Sequence, residues 1–248
     1  MLKLKNKKDI EKIRSSGKIL AETFEIIKEQ LKPGITTKDI DNISYDYINK
    51  RKAKPAFKGY MGYPASICIS INDEVIHGIP SSRSLREGDI VSLDLGVDLD
   101  GYISDSAITL PIGKISEKDA LLIKVTEECL YKGIEMAVKG NRVSDISKVI
   151  FDHAKKYNFG VVRDFCGHGV GFNLHEEPQI PNYIGNGSSP RLKTGMVIAI
   201  EPMINIGGDK IYILDDQWTV KTADHSNSAH FEHTVAVLEN KAEILTSL

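Results

Sequence analysis

The stretch from Gly88 to Thr109 reads GDIVSLDLGVDLDGYISDSAIT, and it decides the architecture. Two apolar arms, Leu93 to Val97 and Tyr102 to Ala107, flank the turn-forming Asp98-Leu-Asp-Gly101. Pairing residue 98 with 101 predicts an antiparallel hairpin with Asp94 directly opposite Asp105, their Cβ atoms about 5 Å apart. Two carboxylates that close on a partly buried face repel each other. A shared proton would relieve them, and so would a bound cation. A bulge that shifts the register would instead turn one Asp to water.

Outward from the hairpin, the same order returns once. Gly195-Met-Val-Ile-Ala-Ile-Glu201 repeats the turn glycine, short apolar strand and closing carboxylate of Gly88-Asp-Ile-Val-Ser-Leu-Asp94. Asp105 before Ser-Ala-Ile-Thr is matched by Glu232 before His-Thr-Val-Ala-Val. Asp39-Ile40 follows Gly34 at the spacing at which Asp145-Ile146 follows Gly140. The repeats predict one domain of two duplicated halves, roughly 10–115 and 116–245. In the first half, Ile10, Ile13, Leu20, Phe24, Ile27 and Leu31 recur at helical spacing, and Pro33-Gly34 ends that helix. Thr36 and Asp39 form a capping box for a second helix with Ile40, Ile43 and Tyr47 on one face. Leu122, Val125 and Cys129, then Ile146, Val149 and Ile150, mark the matching pair in the second half. Strands are expected over Ser66 to Ile71, Ile90 to Leu95, Tyr102 to Thr109, Val197 to Ile200 and Phe231 to Leu238. Helices before strands in each half predict an α+β fold, with helices covering one face of a mainly antiparallel sheet. Gly185-Asn-Gly-Ser-Ser-Pro190 reads as an internal surface loop.

Composition sets the bounds. The chain has 248 residues, 41% hydrophobic and 27% charged, with a formal charge of -2. A chain of this length buries roughly 70% of its unfolded surface, so its core needs no staples. The balanced charge argues against a dedicated nucleic-acid binder. No apolar run reaches membrane-spanning length, and the Lys-rich start has no apolar signal region. Cys68, Cys129 and Cys166 are an odd set without framework spacing, which fits a reducing cytoplasm. Lys3, Lys5, Lys7 and Lys8 read as a solvated approach to the first helix, or as an electrostatic contact with ribosomal RNA.

The chemistry lies in the acids. Glu201 sits inside Ile-Ala-Ile-Glu-Pro-Met-Ile, where a solvated charge is out of place, and Glu232 opens another strand. A pseudo-twofold relation of the halves would bring both against Asp94 and Asp105. Four converging carboxylates need cations, and two divalent ions suit them better than one. His168 lies between glycines in Cys166-Gly-His-Gly-Val-Gly171, where it is either a satisfied loop residue or a ligand. Those glycines do not form a dinucleotide fingerprint, and no His-Glu-x-x-His occurs. His77 follows a strand, and His175 precedes Glu176 and Glu177, which read as surface or supporting groups. His153 reads as a helix-surface residue, and His225, His230 and His233 have no distinctive setting. Cys166 beside His168 also allows a cysteine hydrolase, although a carboxylate-rich setting disfavours a thiolate.

The ordered set His77, Asp94, Asp105, His168, His175, Glu201 and Glu232 resembles that of the methionine aminopeptidases, including the eleven-residue gap between the two Asp. Ser70-Ile-Asn72, His77-Gly-Ile-Pro80, Gly167-His-Gly169, His175-Glu-Glu-Pro178, Glu201-Pro-Met203 and Trp218-Thr-Val-Lys-Thr222 agree as well. The likeness runs from about Lys7 to the C-terminus and is to the short bacterial type I form. It implies the pita-bread fold, with two pseudo-twofold halves and a curved sheet. It also implies a monomeric cytoplasmic hydrolase that removes the initiator methionine from peptides and nascent chains whose second residue is small.

The resemblance further implies roles. Asp94 would hold one divalent ion, Asp105 and Glu232 would bridge two, and His168 with Glu201 would complete the second. Such ligands suit Co, Mn, Fe or Zn. Glu201 would also shuttle the proton, His175 would meet the carbonyl oxygen, and His77 the scissile nitrogen. Tyr60, Tyr63, Cys68 and Trp218 would line the methionine pocket. Phe57 stands where the family usually has Cys, and Leu174 where it has Phe, which puts the pocket's shape in question. Asn72 and Ser228 match positions whose backbone carbonyls hold a monovalent cation. A pita-bread protein without metal, serving as a peptide-binding module, is the non-enzymatic alternative.

Overall fold

The computed structural model describes residues 2–248 other than 186 and 188, so two positions of the expected Gly185 to Pro190 loop lie outside the described residues. Among the described residues four α-helices form where the apolar periodicity places them: α1 (Lys7–Gln30), α2 (Thr37–Lys50), α3 (Glu117–Glu135) and α4 (Val143–Lys155). Asn6 with Asp9 and Thr36 with Asp39 close reciprocal capping boxes at α1 and α2, satisfying donors that a helix start leaves free. Strands in the first half are β1 (Lys54–Pro55), β2 (Cys68–Ile71), β3 (Glu74–Ile76), β4 (Ile90–Leu99) and β5 (Tyr102–Pro111). Next come β6 (Gly160–Val161), β7 (Gly167–Gly169), β8 (Glu176–Ile180), β9 (Val197–Ile200) and β10 (Met203–Asn205). The last five are β11 (Ile211–Ile213), β12 (Val220–Thr222), β13 (Ser228–His230), β14 (Glu232–Val237) and β15 (Ala242–Ile244).

The fold is α+β and the main sheet is antiparallel throughout. It runs β1-β4-β5-β14-β9-β7-β8, with β2 also on β4 and β15 also on β14. The junction of β5 with β14 pairs Ala107 with Glu232 and Ser106 with His233, which sets the β4–β5 hairpin beside the β14–β9 pair. Strand alternation then divides the labour between the faces. Val91, Leu93, Leu95 and Val97 pack with Leu20, Phe24 and Ile27 of α1 in one buried cluster. Ile198, Ile200, Val235 and Val237 pack with Leu122, Val125, Ile146 and Ile150 of α3 and α4 in another. Ser104 on the helix side meets Ser16 of α1 at 2.8 Å. The even positions of β4 and the odd positions of β5 therefore face away from the helices, and Asp94 and Asp105 are among them.

The hairpin differs from its expected register by two residues. Asp94 pairs with Ala107 and Asp105 with Gly96, while Asp98 pairs with Ile103. The turn is Asp100-Gly101, with φ of 54° and 81°, the two positive angles of a two-residue type I′ hairpin that suits the twist of the strands. Asp98 sits just before the turn, and its Oδ1 accepts the Gly101 N–H at 2.8 Å. A shift of two preserves the face, so Asp94 and Asp105 are diagonal neighbours on one side rather than directly opposed.

Two surface expectations also fail. His153 is 8% exposed and its Nε2 lies 2.7 Å from Glu128 Oε2, because α4 lays that side of its last turn on α3. Lys5 is 4% exposed and paired with Glu176, unlike its exposed neighbours Lys3, Lys7 and Lys8.

Candidate metal centre and substrate pocket

Asp94 on β4, Asp105 on β5 and Glu232 at the start of β14 are carried to one place by the pairing of β4 with β5 and of β5 with β14, and Glu201 follows β9 where Pro202 ends the strand. Asp94, Asp105, His168 and Glu232 are 8%, 4%, 8% and 2% exposed. Ligand atoms of Asp105, His168 and Glu232 all lie within 4.8 Å of one another. His168 Nε2 is 3.4 Å from Glu201 Oε1 and 3.8 Å from Asp105 Oδ2. Its Nδ1 lies 3.0 Å from the Gly169 carbonyl, so Nδ1 carries the proton and the Nε2 lone pair faces the acids.

Electrostatics shows what this cluster can hold. Burial pushes the Asp94 carboxyl up to about 7. Asp105, Glu201 and Glu232 are pushed well above the ordinary carboxylate range, by burial first and then by neighbouring acids: Asp94 for Asp105, and Asp105 foremost for Glu201 and Glu232. Burial lowers His168 to about 3, so the imidazole is neutral and available as a ligand. Asp94 Oδ1, Asp105 Oδ1 and Glu232 Oε1 are buried without a hydrogen-bond partner. Orphaned buried carboxylate oxygens around a correctly tautomerised imidazole are the donor set of hard or borderline divalent ions, and the site fits them.

Beside the acids opens a pocket of about 160 Å³. All of the substrate-facing residues expected from the sequence, Tyr60, Tyr63, Cys68, His77, His175 and Trp218, line it, and so do Phe57, Met61 and Leu174. Cys68 of β2 pairs with Asp94, which sets the pocket wall directly against the acids. Tyr63 packs edge-on against Trp218 with ring centroids 5.1 Å apart, and its hydroxyl donates to the Gly78 carbonyl at 2.9 Å. Phe57 lies over Gly96, where a Cβ would be 2.7 Å from Phe57 Cε1, so glycine at 96 makes room for that ring. His175 lies with its ring centroid 4.2 Å from that of His168, and its Nδ1 is 2.9 Å from the Tyr60 hydroxyl. His77 takes φ of 61°, a strained angle held at the pocket edge, and stacks edge-on with Phe165 and Trp218. Burial, then the neighbouring His175, lowers His77 to about 4.

His230 was passed over in the sequence and belongs to this site. It is 1% exposed, both its ring nitrogens are unpartnered, and Nε2 lies 3.7 Å from Glu201 Oε2. Thr109 Oγ1 clamps its backbone, accepting the N–H at 2.9 Å and donating to the carbonyl at 2.8 Å. His230 ends β13 and Glu232 opens β14, so no single-strand alternation links them and the pairing of β13 with β10 places the ring. Asn72 and Ser228 do adjoin: the Ser228 N–H donates to the Asn72 carbonyl at 2.8 Å. Cys166 is half-buried, and burial followed by Glu201 raises its thiol, the reverse of what a nucleophilic thiolate requires. Glu176 is no surface group, since its side chain is 4% exposed.

Comparison with known proteins agrees with this geometry. Residues 11–239 match the family described as metallopeptidase family M24. The chain is 52% identical to the methionine aminopeptidase of Clostridium perfringens over 99% of both chains. The crystal structure of methionine aminopeptidase from Rickettsia prowazekii is 42% identical, superposes with a TM-score of 0.97, and is matched over 99% of this chain and all 100% of that one. The prolidase of Pyrococcus furiosus is 27% identical with a TM-score of 0.81, and only 65% of its chain is covered by 99% of this one. Among the described residues no helix is long and apolar enough to cross a membrane.

Proposed function

The chain belongs to metallopeptidase family M24, and from that premise we propose that Asp94, Asp105, His168, Glu201 and Glu232 hold two divalent ions. The enzyme is a metal-dependent aminopeptidase that removes the N-terminal methionine from proteins and peptides. The observation that carries the site assignment is the set of orphaned, buried carboxylate oxygens around His168 Nε2 at the mouth of an apolar pocket. In this assignment Asp94 would help to hold one ion, His168 and Glu201 the other, and Asp105 and Glu232 would contribute to both. Co, Mn, Fe and Zn suit such ligands. When bound, divalent ions supply Lewis acidity to a water and to the scissile carbonyl.

The side chains of the protein do the remainder. Phe57, Tyr63, Cys68, Leu174 and Trp218 exclude water from an unbranched apolar side chain and offer aromatic rings to its sulfur. Tyr60 fixes the His175 ring through Nδ1, which leaves Nε2 to donate to the carbonyl oxygen as negative charge develops there. His77 sits across the pocket, where the nitrogen of the scissile bond would lie. Glu201 takes the proton from the attacking water and delivers it to the leaving amine. We place the enzyme, as a monomer, in a reducing cytoplasm where nascent chains emerge, in keeping with its three free thiols. The exposed Lys3, Lys7 and Lys8 could meet ribosomal RNA, and the Asn72–Ser228 junction could hold a monovalent cation.

The test is methionine release from Met-Gly-x and Met-Leu-x peptides by chelator-stripped protein, before and after adding Co, Mn, Fe or Zn. Cleavage restored by metal and confined to Met-Gly-x is expected. Cleavage of neither peptide by metal-loaded protein would overturn the assignment of this pocket.

A further inference from the structure

Outside the candidate metal ligands, the chain buries a second set of charges. Lys5 Nζ lies 2.5 Å from Glu176 Oε2, with the two side chains 1% and 4% exposed. A buried pair of this kind adds little stability over apolar residues of the same size, so its contribution is geometric. The other oxygen, Glu176 Oε1, accepts the backbone N–H groups of Phe172 at 2.8 Å and Asn173 at 2.9 Å. Those residues directly precede Leu174 of the pocket wall and His175. Gly171 starts the loop with φ of 135°, and a Cβ there would lie 2.8 Å from Lys5 Cε. Lys5 is itself held, because its N–H donates to the Gly195 carbonyl at 2.7 Å and the next residue caps α1.

We propose that Lys5 is a positioning residue for the reaction: by fixing Glu176 it sets the 171–175 loop, and with it Leu174 and His175. The proposal rests on the reading above that His175 meets the scissile carbonyl. A carboxylate bound on one side by an ammonium keeps its second oxygen aimed at the two loop amides. Without the ammonium, the buried carboxylate loses the partner that fixes Oε2, and the freedom to turn or draw in water loosens its grip on Phe172 and Asn173. The loop then wanders by a fraction of its contact distance, which is enough to misplace an oxyanion donor.

The test compares Lys5→Met, Glu176→Gln, the double variant and His175→Ala, all metal-loaded. It measures kcat and KM on a Met-Gly-x peptide, metal affinity by calorimetry, and amide exchange at Phe172 and Asn173. Lys5→Met and Glu176→Gln should each lower kcat by about 10- to 100-fold with KM and metal affinity little changed. Exchange at both amides should accelerate, and the double variant should be no worse than the weaker single one. A purely structural pair would lower the melting temperature while leaving kcat per metal-loaded molecule intact. Unchanged kcat and exchange in Lys5→Met, with His175→Ala inactive, would overturn the proposal. A fully active His175→Ala would instead overturn the reading on which it rests. If Lys5→Met fails to fold, Glu176→Gln decides by the same two readouts.

Discussion

Stripping its divalent ions should give a protein that loses stability as the pH rises above neutrality. In the metal-free fold, Asp94 titrates at about 7, and Asp105, Glu201 and Glu232 well above their ordinary values, whereas in the unfolded chain all four titrate near 4, about where free carboxyls do. A raised carboxyl contributes stability that is complete below the unfolded pKa and lost as the pH passes the folded one. Each carboxyl that stays protonated only in the folded protein therefore removes about 1.4 kcal/mol per pH unit. The buried histidines act in the opposite direction, since burial lowers His77 and His233 to about 4 and His168 and His230 to about 3. Their contribution rises with pH and is complete by about 6.5, the unfolded value. Buried thiols enter above about pH 8. The window between pH 7 and 8 thus isolates the acids, and each carboxyl that is still protonated there only in the folded protein predicts a loss of about 1.4 kcal/mol across it. Urea unfolding of the stripped protein at several pH values measures this directly. Metal-loaded protein should be nearly flat over the window and more stable by about 2.7 kcal/mol per site at a hundredfold excess over Kd. A stripped protein whose stability is level or rising from pH 7 to 8 would refute the electrostatic argument.

Three substitutions probe separate parts of the site. Asp105→Asn keeps the volume and removes a bridging charge. It should abolish peptide cleavage and metal-induced stabilisation while raising the stability of the stripped protein at pH 8, read by calorimetry and urea unfolding. Gly96→Ala drives a Cβ to 2.7 Å from Phe57 Cε1 and should cost about 1 to 3 kcal/mol and raise KM. Shortening the ring in the same chain with Phe57→Leu should recover part of both. Cys166→Ala should leave metal-dependent turnover within about twofold, because its thiol is raised rather than activated; loss of activity in that variant would revive a thiol mechanism.

The helices and the acids were legible because each breaks a strong local pattern. Ile13, Leu20 and Ile27 recur at helical spacing and are fully buried, and Glu201 stands out in an apolar strand. The hairpin register was not legible from composition alone, since Asp98 and Asp100 are equally good turn residues and only the positive φ at Asp100 and Gly101 chooses between them. Strands of two or three residues, such as β6, β10 and β13, carry too little alternation to be seen and are fixed by their partners. Lys5 looked like one of several solvated lysines because its partner lies 171 positions away, a relation no local window contains. His230 was illegible for a related reason: it ends the three-residue strand β13, which pairs with β10 in a separate sheet, whereas Glu232 opens β14 of the main sheet.

The central claim is that the divalent ions of this enzyme sit among Asp94, Asp105, His168, Glu201 and Glu232. Anomalous diffraction at the cobalt edge, from crystals of the Co-loaded and active protein, tests it directly. The account predicts anomalous peaks within bonding distance of these five side chains, with Asp105 and Glu232 shared between them. An active, cobalt-dependent preparation with no peak at this cluster would contradict it.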